Sequence, residues 1–147
     1  MEIDQRCKES FERQGLMKLL GAELVEAGGG RAAIEVPYRE DLTQQHGYFH
    51  GGVVTSIADT ACGYAAYTTM PPNSSVLTVE FKINLMNPAA GERLRAEARV
   101  HKSGRTLVVV GATVSVIRGN KVVPCGEMLG TFIALHETSD VEQRVRT

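Results

Sequence analysis

The run His50-Gly51-Gly52-Val53-Val54-Thr55-Ser56-Ile57-Ala58-Asp59-Thr60-Ala61-Cys62-Gly63-Tyr64-Ala65-Ala66 decides the architecture of this 147-residue chain. Val53, Val54, Ile57, Ala58, Ala61, Cys62, Ala65 and Ala66 recur at helical spacing and predict a helix from Gly52 to about Thr68. Its apolar stripe is wide and built of small side chains, so the helix is expected to lie close against a sheet. Pro71-Pro72-Asn73-Ser74-Ser75 ends it.

Downstream, the period changes to two. Leu77, Val79, Phe81, Ile83 and Leu85 alternate with Thr78, Glu80, Lys82 and Asn84, which predicts a strand with one apolar face. A second strand is expected over about 93–101, a third over 106–117 after the turn Lys102-Ser103-Gly104, and a fourth over about 121–134 after Gly119-Asn120. Upstream, residues 37–51 read as a long loop. Gly28-Gly29-Gly30 joins two short strands at about 22–27 and 31–36. Cys7, Phe11, Leu16, Leu19 and Leu20 predict one amphipathic helix over about 4–20 that stops at Gly21. The tail over 136–147 is polar. One buried helix among meandering strands is an α+β plan in which the sheet wraps the helix, and the length suits one domain over 1–147.

Composition narrows the function. A net charge of -1 calls for neither nucleic acid nor an anionic membrane as partner. The absence of Trp, with four Phe and four Tyr, argues against a stacking platform for single strands. No apolar run is long enough to span a bilayer, and the polar start Met1-Glu2-Ile3-Asp4-Gln5-Arg6 lacks a signal-peptide core. Cys7, Cys62 and Cys125 are odd in number and widely spaced, which fits reduced thiols in the cytoplasm.

One ionisable residue is out of place. Asp59 sits mid-helix among apolar residues, with Thr55, Ser56 and Gly63 on its face. Alone, it fits a solvated face or a local backbone bond as well as it fits a functional role. The two glycines after His50 add a second feature, because a helix N-terminus carries N–H groups with partial positive charge and no intrahelical partner. Such a donor can hold an oxyanion, and losing one typically costs about 3–4 kcal/mol in rate. Gly51 and Asp59 are eight residues apart, roughly 12 Å along the axis. One carbonyl cannot touch both, so a two-fold dimer that sets the Asp59 of one chain opposite the Gly51 of the other is one solution.

The run from His50 to Ala61 resembles the signature of PaaI-type hotdog thioesterases, in which His-Gly-Gly opens the central helix and an acid follows nine positions after the His. The resemblance covers roughly residues 16–135, including Leu85-Met86-Asn87-Pro88-Ala89 and Lys102-Ser103-Gly104-Arg105-Thr106. It implies the hotdog fold and acyl-CoA thioesterase activity on a small to medium acyl or aryl group. CoA then belongs to the substrate, and no cofactor or metal is expected. It implies that Asp59 is nucleophile or general base, that the Gly51 N–H polarises the thioester carbonyl, and that Gln44 lies beside the reacting centre. His50 then orders the loop, and Thr78 positions the attacking water. The two halves come from different subunits of a homodimer or homotetramer. Gly63 departs from relatives that carry a hydroxyl there.

Rival readings remain at this stage. His46 and His50 have the spacing of a zinc helix, but Gly47 and Gly51 discourage a helix and no Glu accompanies them. Cys62 falls on the apolar stripe and reads as core. Lys102 and Arg105 suit CoA phosphates or merely a solvated turn, and the Arg93, Arg95, Arg99 stripe suits an interface, a CoA surface or solvent. Gly52 and Phe49 are expected to contact substrate, with Tyr64 and Tyr67 extending the apolar wall. A hydratase using His50 and Asp59, or a non-catalytic acyl-CoA sensor, are the other functional classes.

Overall fold

A computed structural model describes residues 2–136. The expected tail beyond His136 lies outside them. Six strands form one antiparallel sheet: β1 (Glu23–Gly28), β2 (Arg31–Pro37), β3 (Ser74–Leu85), β4 (Arg93–Ser103), β5 (Leu107–Arg118) and β6 (Lys121–His136), in the order β1-β2-β4-β5-β6-β3. Helix α3 (Gly51–Tyr67) packs on the inner face, with Val54, Ile57, Ala58, Ala61, Cys62 and Ala65 buried against Ile34, Leu94, Ala96, Val114 and Phe132. The predicted α+β plan is the observed one, with the helix starting one residue earlier than expected. Between β1 and β2, Gly29 and Gly30 take φ of 57° and 78°, the left-handed values a tight hairpin requires.

The helix expected over 4–20 is two helices, α1 (Gln5–Glu12) and α2 (Gly15–Leu20). Gln14 is extended at the break, and its Nε2 donates to the Tyr64 hydroxyl at 2.8 Å. The break rephases the apolar stripe, so Met17 and Leu20 are buried while Leu16 and Leu19 face solvent. Gly21 ends α2 with φ 68°, as its position predicts. The pair straps the outer side of α3. Cys7 is buried, Phe11 meets Tyr64 edge-on, and the Arg6 guanidinium lies 4.8 Å over the Tyr67 ring. Tyr64 and Tyr67 therefore lie beneath this strap instead of extending the acyl wall.

The predicted alternation in β3 also breaks. Thr78 pairs with Phe132 and Glu80 with Thr131, leaving Val79 as the extra residue of a β-bulge. Leu77 pairs with Ile133 on the outer face. Thr78 points to the helix side together with Phe81, Ile83 and Leu85. A strict two-residue period cannot put positions 78 and 81 on one face, but one inserted residue does.

On the outer face, Glu35 bridges Arg93 and Arg95 at 3.0 and 2.9 Å, and Arg95 also holds Glu97. The arginine stripe thus stabilises the sheet surface on the side away from α3. Arg99 completes it without joining that network. No helix among the described residues is long and apolar enough to cross a membrane.

Candidate active site

The loop before α3 is folded by its own polar groups. Gln44 Oε1 accepts from the His46 and Tyr48 backbone N–H at 2.6 and 3.3 Å, Gly47 turns with φ 80°, and an isolated bridge joins Thr43 to Phe49. The Gln44 amide nitrogen has no partner among the described residues and remains free to donate. His50 caps α3. Its Nδ1 accepts from the Gly52 N–H at 2.8 Å, its carbonyl accepts from Val53, and its own N–H binds the Leu42 carbonyl. His46 and His50 therefore do not share a helix face, and the Gly52 N–H is taken up by the cap. The Gly51 N–H alone in the first turn has no partner among the described residues. A Cβ at Gly51 would sit 2.8 Å from Leu85 Cδ1, so a larger residue here would push the Leu85 side chain aside.

A pocket of about 420 Å³ opens beside that N–H, lined by Gln44, Phe49, Gly51, Val54, Leu85 and Cys125 among others. The link from β3 to β4 forms its outer wall. Met86 N–H binds the Cys125 carbonyl, Phe49 N–H the Ala89 carbonyl, and the Asn87 amide the Pro124 carbonyl. Leu85 and Met86 belong to the run that carries the resemblance, whereas Cys125 carries no motif, which is why sequence reading passes over its place in this wall.

Asp59 lies two turns along α3 and is half-buried. The Thr78 hydroxyl donates to Asp59 Oδ1 at 2.8 Å. Burial pushes the carboxyl above the usual aspartate value of 3.8, while the Thr78 hydrogen bond opposes the rise. Cys62, one turn nearer the core, is driven by burial and then by the Asp59 charge up to about 12. It stays a thiol near neutral pH and is no nucleophile. The structure thus brings Gln44, Phe49 and Gly51 together at one end of α3 and Asp59 with Thr78 at its middle, roughly 12 Å on. Lys102 and Arg105 stand exposed at the β4–β5 turn, beside a hollow shared by Thr69, Ser103, Arg105 and His136 at the C-terminal end of the helix. Among the described residues no group of three or more His, Cys, Asp or Glu is arranged to hold a metal.

A family model of the thioesterase superfamily matches residues 46–123, which span the end of the loop, α3 and strands β3, β4 and β5. The solved structure of a thioesterase family protein from Silicibacter pomeroyi is 45% identical, with a TM-score of 0.88 over 90% of this chain and 97% of that one. A protein of Saccharolobus solfataricus, named provisionally as an esterase, is 33% identical over 92% of this chain and 87% of its own. The acyl-coenzyme A thioesterase PaaI of Escherichia coli is 28% identical over 69% of this chain and 71% of that one. With this fold and these relatives, the chain belongs to the thioesterase superfamily and is a hotdog-fold thioester hydrolase.

Proposed function

We propose that the protein hydrolyses small to medium acyl- or aryl-CoA thioesters in a cleft shared by two copies of the chain, without any cofactor. The observation that carries this reading is the half-buried Asp59 carboxylate, held by Thr78 on a helix whose unpartnered Gly51 N–H is too distant to act on the same carbonyl within one protomer. Strand β3 supports the pairing. It is an edge of the sheet, and its inner face leaves Phe81 and Leu85 38% and 56% exposed. Unpaired edges and uncovered apolar faces are what association removes from water.

In this mechanism the thioester oxygen accepts the Gly51 N–H of one protomer, with the Gln44 amide beside it. The Asp59 carboxylate of the other takes a proton from a water oriented with help from the Thr78 hydroxyl. The water oxygen bonds to the carbonyl carbon, and the tetrahedral oxyanion is held by the Gly51 N–H and the positive end of α3. Collapse breaks the carbon–sulfur bond, the CoA sulfur leaves as thiolate, and the Asp59 carboxyl gives its proton to that sulfur, which restores the carboxylate. A base with a raised pKa suits this work better than an ordinary aspartate. Asp59 to Tyr67 spans about 12 Å along α3, and in this reading Lys102 and Arg105 of the Asp59-bearing protomer, beyond that end of the helix, meet the CoA phosphates. The buried Cys7, Cys62 and Cys125 suit a reducing cytoplasm.

A thiol-release assay on benzoyl-CoA and hexanoyl-CoA, run beside hydration of crotonyl-CoA, tests the reading. Thiol release is expected. Hydration without release would instead assign an enoyl-CoA hydratase, and tight binding with neither would assign a sensor.

A further inference from the structure

Strand β3 is bonded to β6 along one side and unpaired along the other. Beyond the Val79 bulge its faces alternate regularly. Glu80, Lys82 and Asn84 lie on the outer face, opposite Thr131, Leu129 and Glu127, while Phe81, Ile83 and Leu85 lie on the inner one. Glu80 Oε1 accepts from the Thr131 hydroxyl at 2.6 Å. Its Oε2 and the Lys82 ammonium have no partner among the described residues. Charges on an edge strand ordinarily discourage pairing with another chain. Here two of opposite sign stand two residues apart, and a single pairing satisfies both.

A two-fold dimer is self-complementary, so β3 runs antiparallel to its copy and the pair is centred on one residue or between two. Centred between two, every inner position would oppose an outer one, which the pleat forbids. Centred on a residue, the faces match and charge selects among the choices. Glu80 at the centre meets its own copy, as does Lys82, and like charges directly opposite destabilise a pair. Ile83 or a later centre leaves both charges opposite uncharged residues. Phe81 at the centre sets Glu80 opposite the partner's Lys82 and Lys82 opposite the partner's Glu80, while the two rings meet on the inner face. Thr78 then falls opposite the partner's Ile83, with Val79 left over. That is one inner-face step, roughly 7 Å, from the partner's Leu85, whose side chain abuts Gly51.

Resting on the shared cleft proposed above, we propose that two copies of the chain join through β3 with the two-fold axis at Phe81, each Glu80 paired with the partner's Lys82. The charges then reject the neighbouring registers as well as stabilising this one.

Oxidative cross-linking of Phe81→Cys and of Lys82→Cys, each in the full chain and read on a non-reducing gel, tests the register. Directly opposed Cα atoms stand about 4.5–5.5 Å apart, within the disulfide range of about 4.4–6.8 Å, and a displacement of two residues leaves that range. Cys7, Cys62 and Cys125 are buried and do not compete. Phe81→Cys is expected to cross-link to its copy, and Lys82→Cys is not. Where the Phe81 variant fails to assemble, the charges decide. Glu80→Lys is expected to raise the dimer Kd by about tenfold, because two like-charged pairs replace two unlike ones, and adding Lys82→Glu restores it. A cross-link at Lys82, or a double variant as weak as the single one, with wild-type hydrolysis intact, overturns this register alone. A wild-type monomer that hydrolyses thioesters overturns the shared cleft with it.

Discussion

The Thr78 hydroxyl lies 2.8 Å from Asp59 Oδ1 and donates to it, tying the edge strand β3 to the middle of α3. Two polar side chains 19 residues apart meet on an otherwise apolar face, and each accounts for the position of the other. Without Thr78 the carboxylate would lack its one side-chain donor. Without Asp59 the hydroxyl, opposite Phe132 on the inner face of the sheet, would lose this acceptor.

Asp59→Asn is expected to lower kcat by at least ~100-fold, the scale of a positioned acid–base group, in a folded protein checked by circular dichroism. Equal turnover by the wild type and this variant would remove Asp59 from the mechanism.

The same substitution is expected to raise Tm at pH 7. Burial makes the folded protein hold the Asp59 proton more tightly than the unfolded chain, so ionisation there costs stability. The cost is fully present above the raised folded pKa and is gone below the unfolded value near 3.8. The Tm advantage of Asp59→Asn therefore shrinks on acidification and vanishes below that value. Scanning calorimetry between pH 3 and 8 measures it, and an advantage that grows towards acid would contradict the burial argument.

For activity the base form is the working one, so kcat/KM rises with pH through the Asp59 pKa, above 3.8. The Thr78 hydrogen bond holds that pKa down. Thr78→Val is expected to move the acid limb of the pH profile to higher pH, beyond any fall in rate. An unshifted limb would mean that the bond is absent in the working enzyme.

Gly51→Ala is expected to lower kcat/KM by ~10-fold, because the new methyl group meets Leu85 Cδ1 and crowds the space beside the donor where the carbonyl binds. Adding Leu85→Ala returns part of that loss, a coupling that a double-mutant cycle measures. Strict additivity of the two changes would show that the contact with Leu85 is not the cause.

Phe81→Glu places a charge on the exposed inner face of β3 and is expected to give a monomer by light scattering at micromolar concentration, with hydrolysis lost. An active monomer would rule out a shared cleft.

Most of this architecture was legible from periodicity. The small-residue stripe of α3, the alternation of the long strands and the two glycines between β1 and β2 each express a local rule, and local rules survive packing. The Gly51–Asp59 separation along one helix was legible too, because helix geometry fixes it. What could not be read was decided between elements. Gln14 breaks the first helix to reach Tyr64, 50 residues away. Val79 and Cys125 are pushed out of their ladders by pairings that no spacing within one strand reveals. Tyr64 and Tyr67 look like a ligand wall until α1 and α2 are laid across them. The missed features concentrate at the two ends of the proposed cleft, where regular pairing gives way to the aiming of single side chains.

The extra residue at Val79 bears on how relatives are compared. An ungapped alignment of this strand with one that lacks the insertion will match every position on one side of Val79 and slide every position on the other. The hydroxyl that meets the acid then falls opposite a residue of the wrong face, and a shared function is scored as a substitution. Homologues of this hydrolase are better aligned on Phe132 and Gly130 of the neighbouring strand, which keep count across the interruption.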